Sequence, residues 1–172
     1  MKRRLIEHME FIKTRNVKDP VRNAKENAGI DFYIPEKDAF TAEEIKNFGE
    51  HVYVEGNTIK IHPHCDIKIP AGIKSKFANN LALVAYNKSG IATKKKLIVG
   101  AAVIDSSYQG EWHIHLINTS NEVQTIEFGQ KIVQFIPQII DTSDIVISNL
   151  PENEFFTETT DRGAGGFGST GV

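Results

Sequence analysis

Three stretches of this chain combine residue types that can bind an anion and move a proton. At Val103-Ile104-Asp105 an apolar pair leads to a carboxylate just before a turn, and Tyr108 follows three residues later. A strand ending on a loop holds such a carboxylate at an edge, where it can take a proton from water. The same pattern also suits an Asp bonded to its own turn backbone, and Tyr108 also suits a partly buried core position. At Ser89-Gly90 a hydroxyl stands beside a residue with no Cβ, a turn in which backbone N–H groups can approach a phosphate. From Arg162 the chain reads Arg-Gly-Ala-Gly-Gly-Phe-Gly-Ser-Thr-Gly-Val, which gathers a guanidinium fork, a ring, two hydroxyls and many backbone donors. A segment this poor in apolar surface is expected to be mobile until a ligand holds it; a plain flexible tail is the alternative.

Short strands must position these groups. Leu81–Tyr86, Trp112–Asn118, Lys131–Ile140 and Ile145–Ser148 are rich in β-branched and aromatic residues. Val52–Glu55 and Thr58–Ile61 flank Gly56-Asn57, a pair suited to a tight hairpin. Ile67–Ile69 and Ile73–Phe77 flank the turn Pro70-Ala71-Gly72. One helix is expected, because Thr41-Ala42-Glu43-Glu44 forms a capping box leading into Ile45 and Phe48. Many short strands with one short inserted helix predict an all-β fold, a distorted jelly roll or barrel. No internal repeat is present.

The 172 residues suit one β domain over residues 1–160, with an insert at about 36–58 and a Gly-rich lid over 161–172. A net charge of −2 argues against broad nucleic-acid binding, so an anionic ligand must be held by local donors. No apolar run approaches a membrane span, and no apolar segment follows the basic start at Met1–Arg4. A cytoplasmic location is therefore expected. The single Cys65 fits a reducing compartment.

Five segments, in chain order, carry a resemblance to a known family. They are Ala28-Gly29-Ile30-Asp31, Asn87-Lys88-Ser89-Gly90-Ile91-Ala92, Val103-Ile104-Asp105-Ser106-Ser107-Tyr108-Gln109-Gly110-Glu111, Gly129-Gln130-Lys131-Ile132-Val133-Gln134, and the tail from Arg162. In these the sequence resembles the trimeric dUTPases, and the insert between Pro35 and His51 resembles the bacteriophage versions. The resemblance implies a homotrimer with active sites built from several chains. It also implies hydrolysis of dUTP to dUMP and pyrophosphate, which limits uracil in DNA and supplies dUMP for dTMP synthesis. A nucleoside triphosphate carries about four negative charges, so the site needs cations and N–H donors together with a divalent metal.

By this resemblance Asp105 is the base that activates water against the α-phosphorus. Tyr108 packs under the deoxyribose and leaves no room for a 2′-hydroxyl. The hairpin around Val99, Gly100 and Val103 reads the uracil edge through backbone groups. Lys88, Ser89 and Gly90 meet the phosphates, with Lys88 standing where the family usually has Arg; a lysine is a point charge without the two-pronged contact. Gln134 orients the phosphates or the water, unless it is an exposed polar residue of an alternating strand. Asp31 supports the site from behind or is a structural carboxylate. Arg162 meets the γ-phosphate, Phe167 stacks on uracil, and Gly168, Ser169 and Thr170 complete a cover that expels water. Mg²⁺ is expected on the phosphates and waters, with no protein metal ligand named. Val99 replaces an Asn common in the family, Ala102 a Gly, and Ser107 an acidic residue.

His62-Pro63-His64-Cys65 and the same-face pair His113 and His115 could suggest zinc, but one cysteine is a thin ligand set. Lys94-Lys95-Lys96 reads as a solvated loop, or as a patch that steers an anion. Two rival functions fit parts of the sequence. A dCTP deaminase shares the fold, but its catalytic Glu would fall on His115, and it has no use for the tail. A regulatory relative that binds a partner through the insert is favoured by Lys88 and Val99.

Overall fold

A computed structural model describes residues 9–158, 160, 161 and 164. By its contacts the chain forms two compact units, Met1–Asp141 and Thr142–Val172. The described residues contain twelve strands: β1 (Glu10–Lys13), β2 (Ile30–Tyr33), β3 (Val52–Glu55), β4 (Thr58–Ile61), β5 (Asp66–Pro70), β6 (Ile73–Lys76), β7 (Leu81–Asn87), β8 (Leu97–Val99), β9 (Val103–Asp105), β10 (His113–Asn118), β11 (Gln124–Glu127) and β12 (Lys131–Ile139). The helices are α1 (Ala42–Lys46), α2 (Ser89–Lys95) and α3 (Glu152–Phe155), with a 3-10 turn at Lys37–Ala39. This is the expected β architecture with its inserted helix.

The first unit is four small sheets, ordered β1-β6, β5-β10-β8, β11-β4-β3 and β2-β12-β7-β9, and each of these strand pairs is antiparallel. Alternation builds them. In β5 and β10 Ile67, Ile69, Ile114 and Leu116 point inward while Asp66, Lys68 and His113 point out. The Gly56-Asn57 turn joins β3 to β4 with Gly56 at φ +59°, in the left-handed region that glycine enters without strain. The capping box of α1 forms as expected, with Thr41 Oγ1 accepting from Glu44 N and the Glu44 carboxylate from Thr41 N.

The core centres on Trp112, fully buried and packed on Phe32, Phe11 and Phe135 at ring distances of 5.1, 5.8 and 4.9 Å. Replacing Trp112 with Ala is expected to lower unfolding stability by about 3–5 kcal/mol, read from denaturant midpoints. A loss within about 0.5 kcal/mol would mean that this cluster does not hold the sheets together.

Two expectations change. The run Ile145–Ser148 pairs with no strand among the described residues, and Ile145, Val146 and Ile147 are 92%, 83% and 82% exposed. Branched residues favour strand only where an edge and a packing surface exist. Ser89-Gly90 is not an isolated turn but the start of α2, which also contains Lys94 and Lys95 and ends at Lys96 in the left-handed region. Only Ile91 of α2 is buried, so seven residues offered no helical periodicity to read.

Candidate functional site

Asp105 closes β9, and the pairing of β9 with β7 sets Asp105 opposite Ala82 and Val103 opposite Val84. An open pocket of about 230 Å³ lies here, lined by Ala101, Ala102, Val103, Ile104, Asp105, Tyr108, His113 and Phe135. The Asp105 side chain is exposed at its rim. Beyond it the chain turns tightly, with Tyr108 N donating to Asp105 O at 3.1 Å. The Tyr108 hydroxyl donates to the Glu111 carbonyl at 2.9 Å, and its ring lies so close over Gly110 that a Cβ there would fall 2.3 Å from the hydroxyl oxygen. Glycine at 110 is therefore what lets the Tyr108 ring fold back over the loop.

A second cluster forms on the same outer face of the four-stranded sheet. Gln134 in β12 stands opposite Asp31 in β2 and Tyr86 in β7. Asp31 is buried and receives Lys88 Nζ at 2.5 Å, Lys131 Nζ at 3.0 Å and Asn23 Nδ2 at 2.9 Å. Burial alone would raise the Asp31 carboxyl, but bonds from Lys88 and then Lys131 outweigh it and hold it below 3.8. The same bond raises Lys131 above the usual lysine value. Lys88 precedes α2, whose first residues Ser89 and Gly90 are exposed, with open space over Gly90. Gln134 Nε2 donates to the Asn87 carbonyl at 2.9 Å, which ties β12 to the approach to α2.

A group held below its unfolded value stabilises the fold above that value and loses the effect as pH falls through the native one. Asp31 therefore contributes fully above about pH 3.8 and progressively less in more acid solution. Asp31→Asn is expected to lower Tm near neutral pH and to flatten its decline below about pH 4. An acid decline as steep as in the wild type would show that the triad does not act this way.

One protomer does not bring the two clusters together. Asp105 and Gln134 are opposite Ala82 and Tyr86 of β7, on its two sides. Four residues along a strand and two interstrand steps separate them by about 13 Å in one direction and about 10 Å in the other. Val99 and Gly100 do not line the pocket. Val99 N donates to Asn87 Oδ1 at 2.7 Å and Gly100 N to His115 O at 3.0 Å, so these two amides are engaged within the chain. Pairing with β10 sets the Gly100 bond and the Asn87 side chain sets the Val99 bond, and a sequence displays neither. Val103, 60% exposed, does line the pocket. Arg162, Phe167, Gly168, Ser169 and Thr170 lie outside the described residues. Asn87 and Lys131, which stand inside the second and fourth motifs, also join the second cluster through Gln134 and Asp31.

His115 is occupied by structure. Its Nδ1 accepts from Ala101 N at 2.8 Å and its Nε2 bonds Asp66 Oδ2 at 3.0 Å. Among the described residues no helix is long and apolar enough to cross a membrane.

The dUTPase family model matches residues 46–171. The deoxyuridine 5'-triphosphate nucleotidohydrolase of Yarrowia lipolytica is 31% identical over 157 residues, covering 91% of this chain and 84% of that protein. Its namesake from Legionella pneumophila is 38% identical over 118 residues, covering 66% of this chain and 72% of that one. The dUTPase of Staphylococcus bacteriophage 80alpha, solved with dUPNHPP, superposes with a TM-score of 0.74 over 96% of this chain and 99% of that one, at 20% identity. The dUTPase from phage phi11 of S. aureus, whose structure shows a species-specific insert, gives 0.65 over 85% and 99%, at 17% identity. The structural likenesses agree on the fold. With a family match across most of its length and a curated relative aligned along nine-tenths of it, the chain belongs to the dUTPase family.

Proposed function

We propose that this protein hydrolyses dUTP to dUMP and pyrophosphate as a homotrimer, with Mg²⁺ carried on the substrate. The observation that supports it best is the exposed Asp105 carboxylate at the rim of a small open pocket that Tyr108 also lines. Curated relatives bear the name of this activity, and the phage 80alpha enzyme was solved with dUPNHPP.

Asp105 takes a proton from water as its oxygen attacks the α-phosphorus; the bond from that phosphorus to the bridging oxygen breaks and pyrophosphate leaves. Tyr108 sits beside the deoxyribose, and Val103 and the neighbouring backbone face the base. Ser89 and the first N–H groups of α2 donate to the phosphates. Lys88 and Lys131, aligned by Asp31, supply positive charge, and Gln134 orients a phosphate oxygen or the water. Arg162 and Phe167 belong to a lid over 161–172 that caps the γ-phosphate and the base, leaving residues 1–160 as the β domain. Among the described residues no group of three or more His, Cys, Asp or Glu is placed to hold a metal ion, so the cation would be held by the phosphates and waters. Mg²⁺ bound to the triphosphate neutralises its charge and polarises the phosphorus.

The separation of Asp105 from the Ser89 and Gln134 cluster is the reason to assign each site to more than one subunit. The unpaired apolar run at Ile145–Ile147 also suits cover by another copy. A deaminase reading gains nothing from His115, which is committed to Ala101 and Asp66.

Pyrophosphate release from dUTP, dTTP, dCTP and UTP, measured in parallel, tests the assignment. Turnover is expected for dUTP, with kcat/KM at least about a hundredfold above the other three. Equal turnover of all four, or of none, would refute it.

A further inference from the structure

Arg15 stands between the inserted helix and the loop that carries Tyr108. Its Nε and Nη2 donate to the two oxygens of Glu111 at 2.6 and 3.1 Å. The same Nη2 donates to Glu44 of α1 at 2.7 Å, and Nη1 to the Ala39 carbonyl at 2.9 Å. The guanidinium also lies 5.1 Å from the centre of the Phe40 ring. Glu111 accepts further bonds from Gly72 N at 2.9 Å and the Thr14 hydroxyl at 3.1 Å. Its own carbonyl holds the Tyr108 hydroxyl. One line of contacts thus runs from α1 through Arg15 and Glu111 to the tyrosine of the pocket.

The pair is well sheltered, with the Arg15 and Glu111 side chains 17% and 19% exposed. Burial would raise the Glu111 carboxyl, but the bonds from Arg15 outweigh it and keep the group below its ordinary value. Glu44 is pulled to about 2 by Arg15 and by the Thr41 backbone. A planar fork gripping both oxygens fixes the direction of Glu111 as well as its place. None of the three residues lines the pocket.

We propose that Arg15 is a positioning residue that fixes Tyr108 through Glu111, and that α1, by sharing the guanidinium through Glu44, tunes how firmly the pocket refuses a 2′-hydroxyl. This rests on reading the pocket as a deoxyribose site. It makes the insert a determinant of sugar selectivity even though the insert contributes no residue to the pocket lining.

The test compares wild type, Arg15→Met, Arg15→Lys and Glu44→Gln for kcat and KM on dUTP and UTP, with trimer mass and Tm recorded for each. Arg15→Met is expected to cut the ratio of dUTP to UTP kcat/KM by about tenfold, mainly through faster UTP hydrolysis. Arg15→Lys keeps the charge without the fork and should recover little of that loss. Glu44→Gln should cut the ratio about threefold, with Tm within about 3 °C of the wild type. A lower Tm with an unchanged ratio in Arg15→Met would overturn the proposal and leave Arg15 as a structural residue. If Arg15→Met does not fold, an unchanged ratio in Glu44→Gln overturns it. A wild type that does not hydrolyse dUTP overturns the reading of the pocket as well, which separates that failure from a failure of the clamp alone.

Discussion

Asp105→Asn should reduce kcat for dUTP by about 10²–10⁴ while the oligomeric mass and Tm persist. An amide has nearly the shape of the carboxylate but cannot take the proton of the attacking water at neutral pH. Asp105 is exposed at the end of a three-residue strand, and its backbone carbonyl, which accepts Tyr108 N, is untouched by the change. Binding should therefore survive better than turnover, with KM for dUTP altered much less than kcat. Steady-state pyrophosphate release at saturating dUTP is the measurement. A variant that keeps more than about a third of wild-type kcat would remove Asp105 from the role of base.

Removal of all residues after Thr160 should lower kcat by about a hundredfold or more and leave the assembly intact. The deleted segment contains Arg162 and Phe167, which the proposed lid would bring to the γ-phosphate and the base. A cover of this kind excludes water and adds charge-assisted contacts only once substrate is in place. The core of the first unit lies entirely upstream, ending with Phe135, so stability should not suffer. Light scattering and Tm check the assembly, and single-turnover kinetics separate chemistry from product release. Unchanged turnover in the truncated protein would refute the lid.

Much of the site was legible because its parts are local. The apolar pair before Asp105, the Gly56-Asn57 hairpin and the Thr41 capping box each announce themselves within a few residues, and all three form. The edge strand β1 was harder, because Glu-Phe-Ile-Lys turns only Phe11 partly inward. The second helix was missed because a single buried residue, Ile91, gives no period. The Val99 amide goes to Asn87, twelve residues away, a contact that the motif around Val99 does not display. The Arg15 clamp joins residues 96 apart in sequence, and no local pattern encodes a contact of that range. Ile145–Ile147 has strand composition, but the partner edge it needs is absent among the described residues.

Whether a complete site spans subunits is measured most directly by mixing. Asp105→Asn and the double variant Ser89→Ala/Gln134→Ala should each be nearly inactive alone. Unfolded together and refolded into mixed trimers, they should regain about a quarter of wild-type activity, because one site in four then draws an intact Asp105 and an intact Ser89 and Gln134 from different chains. A mixture that stays as inactive as its parents, with mixed trimers confirmed by native mass, would contradict a site shared between subunits.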